Sequence, residues 1–193
     1  MRTVLTADRL IDGTGRPPLP HSALVIEDGR IAGIATGDEV GTALECAERV
    51  DVAGGSILPG FVEMHTHMHC SAEVDPLTDL ETDSHETMLL RSARAMRLTL
   101  GSGVTTSRDL GSRNEVAFAV KEAVQDGIIP GPHMLVTGTP ITTTGGHCHM
   151  FGTEADSADQ VRAAVRRQIK RGADWLKIMA TGGRFTPRTN PHQ

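Results

Sequence analysis

Short apolar-rich runs separated by turn residues occupy residues 1–59, and the pattern predicts a set of β-strands there. Thr3 to Leu10 is the first. Ser22 to Glu27 and Arg30 to Ala35 flank Asp28-Gly29, the two-residue signal of a tight hairpin. Gly13, Gly15, Pro17, Pro18 and Pro20 make the loop before that hairpin. A further strand runs from about Arg49 to Ala53 and ends at Gly54-Gly55. The stretch is too small to own a good core. It is expected to be the N-terminal part of a β-sandwich domain.

From Ser56 the pattern changes. An apolar strand, Ile57 to Val62, leads into Glu63-Met64-His65-Thr66-His67. A helix follows from about Asp83, with Asp83 and Glu86 at capping-box spacing, apolar Met88, Leu89, Met96 and Leu100, and Gly101 or Gly103 as its stop. Gly103 to Asp109 is a second strand. Asn114 can cap a helix carrying Val116, Val120 and Val124, which Gly127 ends. Met134 to Gly138 is a third strand, and a long loop runs from Thr139 to Asp156. Ser157 and Gln160 form another capping-box spacing, with Val161, Val165 and Ile169 on one face and Gly172 as the stop. Trp175 to Ala180 is a fourth strand. Residues 60–193 therefore read β-α-β-α-β-α-β, with strands apolar enough for a parallel sheet covered by helices. A doubly wound sheet and a (β/α) barrel both fit that order. The glycine-rich phosphate fingerprint of a dinucleotide fold is absent after the first strand. Polar residues gather beyond the C-terminal ends of strands one, three and four, where both architectures place their sites.

Composition narrows the function. The 193 residues carry 19 Lys and Arg against 24 Asp and Glu, a net charge of −5, with no basic stripe to bind nucleic acid. One Trp, four Phe and no Tyr exclude a base-stacking platform, so the core must be aliphatic. No apolar run approaches a membrane span, and the first residues have no apolar signal region. Three cysteines, Cys46, Cys70 and Cys148, follow no disulfide or zinc-finger spacing. A soluble, reduced, cytoplasmic protein is expected. Nine histidines, unevenly placed, are the informative feature.

Side chains alternate along a strand, so His65 and His67 share a face while Met64, Thr66 and Met68 point toward helices. Two imidazoles so placed can hold one divalent metal. An isolated pair of this kind is more often solvated or structural. Lys177 adds to it, because it lies inside an apolar strand with Trp175 and Met179 on its own face. A lysine there needs a partner for its head. The bland reading is a carboxylate partner within the sheet. The sharper one is an amine that takes up carbon dioxide and becomes a carbamate, a carboxylate on a long arm that can bridge two metals.

Leu58 to His67, Gly103 to Gly111, Thr144-Gly145-Gly146-His147 and Gly172 to Gly183 together resemble the amidohydrolase superfamily. The likeness is strongest to its branch of imidazolonepropionase-like enzymes, metal-dependent Xaa-Pro and Xaa-Lys/Arg dipeptidases and ochratoxin-type amidases. It runs over nearly the whole chain. The resemblance implies a (β/α)8 TIM barrel with two divalent metal ions, usually zinc, of which residues 60–193 are strands one to four. His65 and His67 would bind the more buried ion, and carbamylated Lys177 would bridge both. His147 would face the substrate at the scissile carbonyl. The implied reaction is hydrolysis of an amide or peptide bond, in a dipeptide or N-acyl amino acid, by a metal-bridging hydroxide. Cyclic-amide opening of the imidazolonepropionase type is the alternative. Glu63 is expected to be structural, and His69 and Cys70 to be solvated loop residues. His149, beside Cys148, is a candidate pocket residue. Asp109 is expected to be a salt-bridge or hydrogen-bond partner, of Arg108 for example.

A complete barrel needs roughly 250 residues. The histidines after strands five and six and the aspartate after strand eight have no counterpart here, and His192 cannot replace them. The chain is expected to be the N-terminal portion of a longer enzyme or one piece of a split one, partnered by the rest of the barrel and inactive alone. A homo-oligomer is expected, with neither nucleic acid nor membrane as partner. Two rivals remain: a non-catalytic metal-binding or assembly half-chain, and a structural zinc module on His65, His67, Cys148 and His149.

Overall fold

The computed structural model describes residues 1–73, 76–183, 185, 186 and 189, with side chains throughout except at Leu77 and Asn114. The chain divides into two compact units, Met1–Pro59 and Gly60–Gln193. No helix among the described residues is long and apolar enough to cross a membrane.

In the first unit, β1 (Arg2–Leu10), β2 (Leu19–Glu27), β3 (Arg30–Thr36) and β4 (Glu48–Ile57) form one sheet in the order β3-β2-β1-β4. β2 pairs antiparallel with β1 and β3, and β4 runs parallel to β1. Asp28 (φ 49°) and Gly29 (φ 75°) close the β2–β3 hairpin with two left-handed residues, as a twist-matched two-residue turn requires. Between β3 and β4 lies α1 (Glu39–Leu44), an element the sequence pattern did not predict. It is under two turns long and contains Gly41, so no period is available to read. Its Ala43 packs on Val4, Ala23, Val25 and Ala35. Ile31, Val50 and Val52 remain exposed, as expected of a sheet whose own residues bury so little.

In the second unit, β5 (Phe61–Thr66), β6 (Val104–Asp109) and β7 (His133–Val136) form a parallel sheet in sequential order. α2 (Pro76–Thr82) and α3 (His85–Gly101) connect the first two strands, and a 3-10 turn at Arg113–Glu115 followed by α4 (Val116–Gln125) connects the next two. Met68, Leu80, Met88, Met96, Phe118, Val120 and Met134 make the aliphatic core between sheet and helices. After β7 the chain forms the short parallel pair β8 (Ile141–Thr142) and β9 (Thr153–Glu154), then α5 (Ala158–Arg171).

Several boundaries differ from the sequence pattern for identifiable reasons. Ser84, not Asp83, caps α3 by accepting the Thr87 N–H at 3.2 Å, while Asp83 pairs with Arg91 at 2.7 Å. Ser112 Oγ accepts the Ala117 N–H at the start of α4; the expected capping side chain of Asn114 lies outside the described residues. On α5 the Ser157–Gln160 capping box is complete, and Gly172 (φ 89°) ends the helix. The buried stripe there is Ala164 and Gln168 flanked by Val161 and Val165, and Ile169 is exposed. Gln168 Oε1 accepts the Thr139 N–H at 3.3 Å, so a polar residue occupies the stripe where the pattern wanted Ile169.

The fourth strand expected over Trp175 to Ala180 is the main departure. The segment makes one parallel bridge, Ile141 to Ile178, rather than a ladder. Asp174 N–H donates to the Val136 carbonyl, Ile141 N–H to that of Lys177, and Met179 N–H to that of Ile141, each at 2.9 Å. Its neighbour is itself broken between Val136 and Ile141, where Gly138 (φ 67°) turns the chain and Pro140 has no N–H to donate. A jogged neighbour cannot support a continuous ladder.

Candidate functional site

His65 is the penultimate residue of β5, and His67 follows its end. Their ring centroids are 5.4 Å apart, tilted by 64°. Lys177 comes from the segment beyond α5, and His147 from the turn after β8. All four line one cavity of about 320 Å³, with Met179 and Phe185 among its apolar walls. His149 is outside it; exposed, its Nδ1 lies 3.0 Å from the Gly146 carbonyl oxygen. Among the described residues no three His, Cys, Asp or Glu side chains converge on one point, so the four-ligand zinc module on His65, His67, Cys148 and His149 does not form. His192 lies outside the described residues.

The donor atoms in the cavity are fixed by their other contacts. His67 Nδ1 is 2.9 Å from the Gly111 carbonyl oxygen, which can only accept. The hydrogen-bond network therefore assigns the proton to Nδ1 and leaves a lone pair on Nε2. Burial pushes the His65 and His147 imidazoles below the ordinary histidine value, and Lys177 adds to that shift. Burial lowers His67 as well, against the pull of the Gly111 carbonyl. At neutral pH all three rings are uncharged and able to donate electron pairs. Lys177 is half-buried, and among the described residues its Nζ has no ion pair or hydrogen bond, so the carboxylate partner of the bland reading is not there.

The support beneath His67 is a carboxylate. Asp109, at the end of β6, is fully buried and accepts the Met68 N–H at 2.9 Å and the Gly111 N–H at 3.0 Å. Met68 follows His67 in sequence, and Gly111 supplies the carbonyl that orients the His67 ring. At Gly111 (φ 143°) a side chain would strain the backbone, and its Cβ would press against Pro140 at 3.0 Å. Burial pushes the Asp109 carboxyl up to about 7, against the two backbone hydrogen bonds. The expected partnership with Arg108 does not occur. Arg108 Nε donates instead to the Met64 carbonyl at 2.9 Å, and its guanidinium carbon lies 5.2 Å from the Trp175 ring centroid.

His147 has its own support. A side chain on Gly183 would run into the His147 ring, so the glycine lets the backbone lie against the imidazole. Thr189 holds that backbone, donating to the Gly183 carbonyl at 2.7 Å and accepting its N–H at 3.2 Å. Glu63, read as structural, accepts the His65 N–H at 2.9 Å.

His69 and Cys70 were expected to be solvated and are not. His69 is 1% exposed and stacks edge-on against Phe151, with ring centroids 5.3 Å apart. Burial, then His67 and Arg113, drive it down to about 3. Cys70 Sγ lies 3.7 Å from His69 Nε2, and burial pushes its thiol up to about 12. The turn after β5 packs its side chains into the core cluster of Met68 and Phe151. The aromatic and sulfur side chains of His69 and Cys70 were the only available signal.

Comparison with known proteins gives the family. The model of the amidohydrolase family matches residues 56–193. Ochratoxinase of Aspergillus niger is 31% identical over 222 residues, covering 98% of this chain and 44% of its own. Imidazolonepropionase of Micrococcus luteus is 27% identical over 217 residues, covering 96% of this chain and 51% of its own. The crystal structure of a Xaa-Pro dipeptidase with bound methionine in its active site superposes with a TM-score of 0.80 at 28% identity, covering 95% of this chain and 48% of that one. The chain thus spans about half the length of the relatives it matches. With an α/β fold shared with amidohydrolase structures and a family match over residues 56–193, the chain belongs to the amidohydrolase family.

Proposed function

We propose that this chain forms half of a (β/α)8 barrel and contributes the first half of a binuclear metal centre that hydrolyses an amide or peptide bond. The observation that carries the reading is one cavity beyond the ends of parallel strands lined by three uncharged imidazoles and a lysine that has no ion pair among the described residues. The sequential order β5-β6-β7, with the 174–179 segment hydrogen-bonded next to β7, supports a barrel over a doubly wound sheet, whose strand order reverses.

The donor set fits a divalent ion such as zinc. His67 offers Nε2 with its tautomer fixed from behind, the usual arrangement of a ligating histidine. His65 faces the same cavity. Lys177 completes the set as a carbamate: its nitrogen bonds to the carbon of carbon dioxide, one C–O π bond opens, and a nitrogen proton leaves to solvent. Divalent ions held there would supply an activated water and polarise an amide carbonyl. His147 is uncharged at neutral pH and places one ring N–H toward the carbonyl oxygen of the substrate, holding charge as it develops there. Its Nδ1 is buried with no partner among the described residues. Linear dipeptides and N-acyl amino acids are the substrates proposed.

Lys177→Ala tests the reading. In the barrel completed by its other half, it should lower metal content and turnover of such substrates together, remove the 13C carbamate resonance of protein incubated with labelled bicarbonate, and regain some activity with short carboxylic acids. Full metal occupancy and turnover in Lys177→Ala would refute it.

A further inference from the structure

Arg108 has no place in the proposed chemistry, yet it reaches both elements that carry it. The side chain leaves β6, the strand between them. Its Nε–H donates to the carbonyl of Met64, the residue before His65, at 2.9 Å. Its guanidinium lies over the indole of Trp175, two residues before Lys177, at 5.2 Å from the ring centroid. Among the described residues no carboxylate pairs with it. β7 separates β6 from the Trp175 segment, so the Arg108–Trp175 contact spans the width of a strand.

We infer that Arg108 is a positioning residue, a clasp that sets the distance between the strand bearing His65 and the segment bearing Lys177. The inference rests on the metal-binding reading and adds a residue to it. The need for a clasp is local. The Trp175 to Ala180 segment makes a single bridge, not a ladder, and Trp175 itself is 51% exposed. Its backbone hydrogen bonds run to Val136 and Ile141, on the β7 side, and among the described residues none runs to β5, so the guanidinium supplies the tie on that side. The chemistry requires arginine. Its planar fork can donate edge-on to a carbonyl while its face lies on an aromatic ring, and the compact ammonium of lysine cannot do both at once.

The test compares Arg108→Met, Arg108→Lys, Trp175→Leu and the Arg108→Met/Trp175→Leu pair. Zinc affinity is titrated in each, and the Arg108→Met crystal structure is determined. Arg108→Met should weaken zinc binding about tenfold while unfolding within a few degrees of the parent. Arg108→Lys should not restore it. Trp175→Leu, at a half-exposed site, should reproduce the loss, and the double variant should be no weaker than either single one, because both remove the same tie. In the crystal the Trp175 to Ala180 segment should shift relative to β5. Unchanged zinc affinity in both single variants, additive losses in the pair, or an unmoved segment would each overturn the inference. If His65→Ala and Lys177→Ala leave zinc binding unaltered, the metal reading itself fails. The segment's position in Arg108→Met then decides the clasp alone.

Discussion

Replacing Asp109 by asparagine isolates the one carboxylate that the described residues of the second unit bury without a cation. Asp109 is fully buried, and its two oxygens each accept a backbone N–H. Burial moves it from an ordinary 3.8 to about 7. Its value in the folded protein thus lies above its value in the unfolded chain. Between those values the folded state holds a proton that the unfolded state has released. Stability is then highest below pH 4 and falls roughly tenfold in the folding equilibrium for each pH unit up to 7, beyond which it is level. Over the full window a shift from 3.8 to about 7 corresponds to about 4 kcal/mol. Asparagine has the same shape and no such proton. It keeps one acceptor and turns an N–H group toward either Met68 or Gly111, which leaves a buried donor unpaired at a pH-independent cost of about 1–3 kcal/mol.

The difference between the two proteins is therefore the informative quantity. Histidines that burial drives downward, His69 above all, give the opposite slope, because they release protons on folding. They are present in both proteins and cancel in the difference. Urea unfolding of parent and Asp109→Asn, run in chelator at half-unit steps from pH 4.5 to 8, should show the parent more stable at the acid end. The variant should then gain about tenfold in relative folding equilibrium for each pH unit up to 7. A flat difference curve, or one of the opposite slope, would falsify the account of Asp109 as a buried, cation-free carboxylate.

Gly183→Ala puts a methyl group into the His147 ring at a position with no unusual backbone angle, so it should displace the imidazole without unfolding the protein. Turnover should fall about tenfold or more, as misplacement of a substrate-facing group does, with the unfolding temperature nearly unchanged; wild-type kcat would exclude His147 from the reaction. Residues 1–193 expressed alone and loaded with zinc or manganese should not hydrolyse dipeptides or N-acyl amino acids. The proton-transfer groups proposed to lie elsewhere in the barrel are worth about 10²–10⁴ in rate. Metal-dependent turnover by the monodisperse 193-residue protein would defeat that expectation.

What could be read in advance follows from how local the cause is. The Asp28-Gly29 turn and the Ser157–Gln160 capping box need only neighbouring residues, and both are formed. Strand parity places His65 and His67 on one side because alternation is a property of the chain itself. Features that depend on distant residues were not legible. The shape of the Trp175 segment follows from a jog at Gly138 and Pro140, almost forty residues earlier. His69 is buried and Cys70 partly buried because Phe151 and the Met68 cluster pack against the turn. Asp109 and Arg108 are adjacent and opposite in charge, which suggests a pair. On a strand, adjacency sends side chains to opposite faces. Asp109 goes into the core and Arg108 to the other side.

The same parity explains how the site is held. Each cavity residue is fixed through one neighbour rather than through direct side-chain partners. His67 is oriented by the Gly111 carbonyl, which Asp109 holds. The start of the Lys177 segment is tied by Asp174, whose carboxylate accepts the Val136 N–H at 2.8 Å and the Lys121 ammonium at 2.7 Å. Burial alone would raise the Asp174 carboxyl, but these hydrogen bonds outweigh it and lower it, so the tie is charged at neutral pH. His147 rests on Gly183, which Thr189 holds from both sides. Among the described residues, supports of this kind leave His67 Nε2 and Lys177 Nζ without a hydrogen-bond partner. If the proposed metal or substrate carbonyl enters the cavity, it would displace none of the supporting hydrogen bonds given above, so the ordering of His67 and His147 would be supplied by folding.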